Sequence, residues 1–245
     1  YNLAIGYEAM EGNTTNPYTN AKYNVALGSY SMKDISDGYD NTAVGVSSLA
    51  DLTTGSDNVS LGSLSMRKNT TGSENVAVGY KALNSNTTAN GNVAIGYEVL
   101  KSNSTAEYNT ATGYQSMYYN TTGGSNVANG YLSLYKNTSG YNNTAVGIAA
   151  LKENTTGHNN VAIGRGALMS NTSDYYNVAI GALSLTASDS YGNVGIGWFA
   201  LGNTVNGQDN VAVGINAGSF GTDYSNAIHI GSNALTTGSN RAVIG

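Results

Sequence analysis

A short phrase recurs along this chain at a fixed interval, and that interval constrains the fold more than any other feature. Residues 75–79 read Asn-Val-Ala-Val-Gly, and residues 92–96, which begin 17 residues later, read Asn-Val-Ala-Ile-Gly. The glycine that ends the phrase recurs over nine consecutive intervals of 17, at Gly28, Gly45, Gly62, Gly79, Gly96, Gly113, Gly130, Gly147, Gly164 and Gly181. A unit this small cannot bury an apolar face by itself, so the units are expected to stack into a solenoid.

Each unit is predicted to begin with a short strand. The β-branched residues of Asn-Val-Ala-Val/Ile-Gly lie two apart, so they face one side of the strand, and Ala faces the other side. We predict that the first Val column and the Val/Ile/Leu column before each Gly form the core, with Thr replacing Val at Thr42, Thr110 and Thr144. The Ala column is predicted to face a neighbouring chain, because small residues allow a second backbone to approach closely.

A link ending in Leu or Met and a polar turn, usually Asn-Thr-Thr-Gly, are predicted to complete each unit. Asn and Gly tolerate the left-handed backbone that tight corners require, so we place that conformation in this turn. Asn residues that recur in stacked units are expected to form ladders of amide hydrogen bonds.

The interval varies before Gly28 and after Gly181. Gly6 precedes Gly28 by 22 residues, which fits an insertion at 13–22, and later intervals include one of 16 and one of 14. A helical solenoid is disfavoured, because the apolar spacing is two and each unit contains several Gly and Asn, which are poor helix formers. We predict an all-β fold in which residues 1–245 form one parallel β-solenoid domain of about fourteen coils.

The repeated phrase resembles the repeats of two groups of surface fibres. It is similar to the head repeats of trimeric autotransporter adhesins, and more so to the Asn-Thr-Ala-(Val/Ile)-Gly-Tyr-x-Ala-Leu repeats of phage tail fibres and related virion fibres. Residues 143–151, Asn-Thr-Ala-Val-Gly-Ile-Ala-Ala-Leu, are close to the fibre version. The resemblance implies a left-handed parallel β-roll, three rolls packed side by side, and attachment to a surface. The unit here is longer than the usual adhesin-head unit, so its turn is expected to project further or to form a broader coil.

Composition and charge argue against nucleic-acid binding and membrane insertion. Charged residues are only 10% of the chain, where about 25% is usual, and the net charge is −5 with Lys and Arg scattered singly. A phosphate-binding face requires clustered cations. No apolar run approaches the roughly 18 residues that span a bilayer. The sequence begins in mid-phrase, so we expect it to be a fragment of a longer fibre.

No catalytic, metal or cofactor site is predicted. Cysteine is absent, the acidic residues occur singly, and the two histidines, His158 and His229, are far apart. His229 replaces the usual Ala of the phrase and is expected to have a structural or surface role, whereas His158 lies in a polar turn and is expected to be solvated. A left-handed β-helix enzyme is a remote alternative. That fold is built on strict six-residue steps, which would give 18 residues per coil, whereas the period here is 17.

One column of aromatic residues follows the phrase Gly and is a candidate binding surface. Its members are Tyr7, Tyr80, Tyr97, Tyr114, Tyr131 and Trp198. Exposed aromatics flanked by Asn suit carbohydrate stacking or protein contact. Packing against the neighbouring coil or chain is the alternative, and the regularity of the column favours it.

Two polar residues interrupt the column predicted as core. The residue before the phrase Gly is Thr112 in one coil and Asn129 in the next. We predict a polar core layer, in which a local Thr–Asn hydrogen bond is favoured over a bound ion or water cluster.

These observations favour a structural and adhesive protein. The predicted function is the shaft or head of an attachment fibre on a virion or a bacterial cell surface, which forms a homotrimer and binds a cell-surface receptor such as a glycan. An ice- or surface-binding solenoid is the alternative, although the Thr columns are irregular and no Thr-x-Thr ladder is present.

Overall fold

The computed structural model describes residues 1–14, 20–219 and 223–245. The fold is all-β and contains fifteen parallel strands of three residues each, which confirms the predicted β-solenoid. One 3-10 helix is present, Glu11–Thr14. Among the described residues, no helix is both long and apolar enough to span a bilayer. Residues 15–19, half of the predicted insertion at 13–22, lie outside the described residues.

The chain comprises two compact units, Tyr1–Gly124 and Ser125–Gly245. The strands of the first unit are β1 Leu3–Ile5, β2 Val25–Leu27, β3 Thr42–Val44, β4 Val59–Leu61, β5 Val76–Val78, β6 Val93–Ile95 and β7 Thr110–Thr112. Those of the second unit are β8 Val127–Asn129, β9 Thr144–Val146, β10 Val161–Ile163, β11 Val178–Ile180, β12 Val194–Ile196, β13 Val211–Val213, β14 Ile228–Ile230 and β15 Ala242–Ile244. That the whole chain forms one domain stays a prediction, as does the left-handedness of the roll.

Within each unit, every strand pairs in parallel with the strands before and after it in the sequence. Val76 pairs with Val93, Ala77 with Ala94 and Val78 with Ile95, so equivalent residues stack directly on one another. The same register joins Val161 to Val178 in the second unit. The 17-residue interval is therefore the length of one coil.

The assignment of the two strand faces was wrong. The Ala column lies inside the coil, where Ala77 and Ala94 are completely buried, while the β-branched residues point outward and Ile95 is 42% exposed. The alternation predicted which residues share a face, but hydrophobicity alone suggested which face is internal. The interior beneath most strands holds only a methyl group, because side chains from the rest of the coil fill it.

The core of each coil consists of Leu or Met from the link, small residues, and two asparagines. The link residues are completely buried at Met32, Leu49, Met66, Leu83, Leu100, Met117, Leu134, Leu151, Leu168 and Leu185. Asn92 and Asn103, from the strand start and the polar turn of one coil, are also completely buried. Buried amides must find hydrogen-bond partners, and the neighbouring coils supply them.

The asparagines of the polar turn form the predicted amide ladder. Asn103 donates through Nδ2 to Oδ1 of Asn86 at 3.1 Å, and Asn120 donates to Oδ1 of Asn103 at 2.9 Å. Each Nδ2 also donates to the carbonyl three residues later, as from Asn103 to Ala106 at 3.0 Å. The second unit contains the same kind of ladder, in which Asn171 donates to Oδ1 of Asn154 at 2.9 Å.

A second ladder follows the asparagines that precede each strand. The Nδ2 group of Asn58 donates to Oδ1 of Asn41 at 2.9 Å, and the backbone N–H of Asn58 donates to the same oxygen at 3.0 Å. Its Nδ2 also donates to the carbonyl of Gly72 at 2.9 Å. This arrangement explains why the repeated phrase begins with Asn.

The left-handed backbone lies elsewhere than predicted. In the polar turn that begins at Asn103, no residue has a positive φ. Three non-glycine residues elsewhere in the same coil have a positive φ: Glu98 at 52°, Leu100 at 49° and Tyr108 at 59°. Such a conformation is strained for residues with a β-carbon. Burial of Leu100 and the ladders on either side keep it in place.

The glycine that marks the period is required by close approach between coils. Gly62 has a φ of 140°, and a β-carbon there would lie 2.5 Å from the carbonyl oxygen of Gly79. No other residue fits this position without moving the backbone.

Replacing a ladder residue is expected to destabilise the fold according to its place in the ladder. Asn103→Leu leaves Oδ1 of the buried Asn86 without its donor. Asn69 is the first asparagine of the ladder, because Leu52 occupies the equivalent position in the preceding coil. Asn69→Leu therefore only moves the end of the ladder to Asn86. We expect Asn103→Leu to lower the free energy of unfolding by about 1–3 kcal/mol more than Asn69→Leu. Chemical denaturation of both variants measures this difference, and equal losses would show that the ladder is not continuous.

Candidate interaction surface

The outward face of the strands is mainly apolar along both units. Its exposed members in the first unit include Val44, Leu61 and Ile95, and those in the second include Val127, Ile163, Ile180, Ile196, Val213, Ile228 and Ile230. The strand positions on this face, named here the outer face, carry no charged side chain in either unit. A contiguous apolar patch of this kind is typical of an interaction surface.

The predicted polar core layer is not in the core. Thr112 ends β7 and is half-buried, and Asn129 ends β8 and is exposed, so both belong to the outer face. This prediction was wrong for the same reason as the assignment of the strand faces: the residues before the phrase Gly were placed inside the coil, and they point outward. Asn129 therefore needs no partner inside the coil, because solvent reaches it.

The column of aromatics after the phrase Gly includes a stack in the first unit. Tyr97 lies between Tyr80 and Tyr114, with ring centroids 5.4 and 5.2 Å apart and interplanar angles of 27° and 5°. Tyr7 instead makes an edge contact with Tyr30 at 5.5 Å. Stacking occupies both faces of Tyr97 and leaves its edge and hydroxyl outward, so packing between coils accounts for its regular spacing.

The remaining two candidate aromatics lie in the second unit. Tyr131 is 51% exposed and Trp198 is 48% exposed. Trp198 contacts Phe199, with ring centroids 5.6 Å apart. These two positions present more ring surface to solvent than Tyr80 does.

A second aromatic stack precedes the strands of the second unit and was not predicted. The centroid of His158 lies 4.7 Å from that of Tyr141 and 5.0 Å from that of Tyr175, and Tyr175 lies 5.4 Å from Tyr191. Interplanar angles of 10°, 17° and 9° show that the rings are nearly parallel. His158 is therefore stacked rather than simply solvated. These residues share one place in the repeat, three before the first strand residue, and alignment of the coils reveals the column.

A polar cluster lies beside the stack of the first unit. Lys101 donates to the Glu98 carboxylate at 2.7 Å and to the Tyr118 hydroxyl at 2.8 Å, and Gln115 donates to the same carboxylate at 2.9 Å. The hydrogen bond to Glu98 raises the pKa of Lys101. Burial opposes ionisation of Glu98, but the hydrogen bonds from Lys101 and Gln115 outweigh it and lower its pKa. Both groups are satisfied within the chain, which indicates a structural role.

His229 is buried inside the coil, as the expected structural role requires. It pairs in register with Ala212 and is only 3% exposed, and its Nδ1 accepts a hydrogen bond from the backbone N–H of Thr236 at 3.2 Å. The link residue beside it is Gly218 instead of Leu, and a β-carbon at Gly218 would lie 3.0 Å from Cδ2 of His229. The imidazole therefore occupies space that a Leu side chain fills in other coils.

The shortened coil interrupts the amide ladder. Val178 pairs with Val194, only 16 residues later, and Ser188 occupies the ladder position. Oδ1 of Asn171 and Oγ of Ser188 are buried without a hydrogen-bond partner among the described residues. The ladder thus ends at this coil.

Two aspartates, Asp174 and Asp189, lie close together at the shortened coil. Asp189 accepts hydrogen bonds from the backbone N–H and Oγ1 of Thr172 at 3.2 and 2.9 Å. Burial, together with the hydrogen bond to Asp189, raises the pKa of Asp174 to about 6. Ionisation of Asp174 is therefore unfavourable in the folded chain.

The described residues contain no group of three or more His, Asp or Glu side chains arranged to hold a metal ion, and no pocket was found. No family model matches the sequence, and no curated protein matches it significantly.

Changing His229 and Gly218 together is expected to be less harmful than changing either alone. His229→Ala leaves a cavity and is expected to lower the free energy of unfolding by about 2–4 kcal/mol. Gly218→Leu forces a side chain against His229 and against Leu201, and the double variant removes the contact with His229 and recreates the Ala–Leu pair of other coils. A double-mutant cycle from urea denaturation is expected to give a favourable coupling energy of about 1–3 kcal/mol. Additive losses would contradict this packing relationship.

The stability of the chain is expected to depend on ionisation of Asp174. Its folded pKa of about 6 exceeds its ordinary value of 3.8, so the folded state holds the proton over that interval and the unfolded state releases it. This contribution to stability is present below pH 3.8 and is lost as the pH rises through about 6. We expect Asp174→Asn to raise Tm relative to the parent chain above this interval and much less below it. Asp57→Asn, at an exposed site, is the control, and an Asp174→Asn gain independent of pH would contradict the assignment.

Proposed function

We propose that this chain is the structural and adhesive shaft or head of an extracellular attachment fibre, on a virion or a bacterial cell surface. It acts as a homotrimer and binds a cell-surface receptor, with surface glycans as one candidate class. The single observation that carries the proposal is the outer face, which leaves two uncharged columns of mainly β-branched residues exposed on a single chain.

The outer face supports self-association better than the Ala column on which the prediction rested. Ala77 and Ala94 are inside the coil and unavailable to another chain. The β-branched residues outside are half-buried or exposed, and burying them against copies of the same chain removes apolar area from water at about 25 cal/mol per Å². Three copies is the number that the resemblance to trimeric fibre repeats implies.

The repeat itself supports a mechanical and adhesive role. Successive coils are joined by backbone pairing, and coils with asparagine at both positions are also joined by two amide ladders, so the array extends by addition of equivalent coils. A unique receptor contact requires a departure from the repeat. The departures on the described surface are the shortened coil at 189–192 and the aromatic pair of Trp198 and Phe199.

Light scattering tests the assembly. The intact chain is expected to give a particle of three times its mass of 25.2 kDa at micromolar concentration. Ile95→Glu places a charge on the outer face and is expected to yield the monomer, whereas Thr71→Glu, at an exposed turn, leaves the particle unchanged. A parent chain that is monomeric would end the homotrimer proposal.

A binding assay tests adhesion separately. Fluorescently labelled chain is expected to bind bacterial cells or members of a glycan array, and Trp198→Ala is expected to reduce this binding while preserving the particle mass. Thr71→Ala is the matched control. Inhibition of ice recrystallisation without binding to any cell or glycan would favour the ice-binding alternative and overturn the adhesive role.

A further inference from the structure

The shortened coil, which follows β11, leaves two buried oxygen atoms without partners. In the intact part of the turn ladder, Oδ1 of each asparagine accepts a hydrogen bond from Nδ2 of the next, as Asn154 does from Asn171 at 2.9 Å. The residue in the next position after Asn171 is Ser188, which has no amide. Oδ1 of Asn171 and Oγ of Ser188 are therefore buried with no hydrogen-bond partner among the described residues.

Asp174 replaces a small residue beside the ladder. Nδ2 of each turn asparagine donates to the carbonyl three residues later, which is that of Asp174 for Asn171. In the preceding coils this acceptor belongs to Gly72, Ala89, Ala106, Gly123, Gly140 and Gly157. A β-carbon at Gly157 would lie against Oδ1 of Asn154. The equivalent β-carbon of Asp174 places its carboxylate beside Oδ1 of Asn171.

A second carboxylate completes the cluster. Asp189 directly follows Ser188, and its side chain lies close to that of Asp174. Its Oδ1 accepts hydrogen bonds from the backbone N–H and Oγ1 of Thr172 at 3.2 and 2.9 Å, which leaves Oδ2 for another contact. Asp174 is half-buried and Asp189 is exposed, so the cluster has a buried floor and an opening to solvent.

The cluster is rich in oxygen and lacks a positive charge. It contains two carboxylates, one amide oxygen and one hydroxyl, and neither aspartate belongs to a salt bridge among the described residues. Oxygen atoms of these kinds are the ligands of hard divalent cations. Ca²⁺ takes about six to eight oxygens in flexible geometry, with water completing its shell.

We propose that the shortened coil binds a calcium ion between the carboxylates of Asp174 and Asp189. Oδ1 of Asn171 and Oγ of Ser188 coordinate the ion from inside the coil. The ion contacts Oδ1 of Asn171 where an amide N–H does so in the preceding coils, and it thereby bridges the interrupted ladder. With two carboxylates, the expected Kd is that of extracellular calcium modules, about 0.1–1 mM. The proposal depends on neither assembly nor receptor binding.

A water molecule or a shared proton is the alternative occupant. Nδ2 of Asn177, in the ladder that precedes the strands, is also buried without a partner among the described residues, so a water there would find a donor and an acceptor. Water leaves the two adjacent carboxylates without a counter-charge. A shared proton is lost once the pH exceeds the pKa of Asp174, which is raised to about 6. At neutral pH a divalent cation therefore satisfies the cluster better than either.

Thermal unfolding of the intact chain at neutral pH tests the site. A ligand that binds only the folded state raises Tm. We expect Tm to rise by several degrees when the chelator is replaced by millimolar calcium chloride, and not when it is replaced by sodium chloride of equal ionic strength. An unchanged Tm in calcium would overturn the proposal and assign the cluster to water or a proton.

Asp174→Asn is expected to abolish the calcium response. In chelator its Tm is expected to be no lower than that of the parent chain, because the substitution removes a charge and keeps the shape of the side chain. Asp57→Asn, at an exposed site, is the matched control and keeps the full response. A response of Asp174→Asn equal to that of the parent chain would show that calcium binds elsewhere.

A double variant, Asp174→Ala with Ser188→Asn, rebuilds the ladder without the ion. It recreates the arrangement of Ala106 and Asn120 and gives Oδ1 of Asn171 an amide donor. We expect its Tm in chelator to exceed that of the parent chain and to be insensitive to calcium. A calcium response retained in this variant would contradict the assignment of ligands.

Terbium luminescence measures binding directly. Tb³⁺ binds at calcium sites and emits when a nearby tyrosine absorbs light, and Tyr175 directly follows Asp174 and stacks on Tyr191. We expect the parent chain to give emission that calcium displaces, and Asp174→Asn to give several-fold weaker emission than Asp57→Asn. Equal emission from the two variants would count against a site at the shortened coil.

Discussion

The structure depends on buried amides that no single coil can satisfy. Asn103 has its side chain entirely inside the coil, and its Oδ1 and Nδ2 find side-chain partners only in the coils above and below. A buried amide group without a partner costs about 1–3 kcal/mol. Between Asn69 and Asn171 each neighbouring coil therefore places an identical group at the identical position, which requires a constant period of 17 over that stretch.

The sequence predicted the architecture because the repeat expresses it directly. Interval, strand position, parallel register and amide ladder all follow from residues that recur at one spacing, and each was confirmed. The direction in which the strands face was predicted wrongly, since Val and Ile are more hydrophobic than Ala and were assigned to the interior. The deciding factor is volume: Leu100 and two asparagines already fill the coil, and only Ala94 fits beneath the strand. Which strand face is internal thus depends on how much of the coil interior the link and turn residues fill. The alternation of residues within a strand does not contain this information.

The candidate surface was partly predictable for the same reason. The column of Tyr80, Tyr97 and Tyr114 was identified from its spacing, whereas the stack around His158 mixes tyrosine with histidine and contains a 16-residue step, which concealed it. The outer face was overlooked because its residues had been placed in the core. Once the faces are exchanged, the apolar strands and the aromatic stack of each unit border one another along that unit.

Left-handed backbone at three non-glycine positions in a coil has a consequence for how the chain folds. Each such residue is disfavoured by about 1–2 kcal/mol, so the coil containing Glu98, Leu100 and Tyr108 carries roughly 3–6 kcal/mol of strain. An isolated coil has that strain without the ladder bonds that offset it, and it does not form by itself. A coil that is already folded offers amide, carbonyl and apolar contacts to the segment that follows it, and so acts as a template. Folding is then expected to advance from a rare nucleus by sequential addition, with the growing end as the site where errors of register arise.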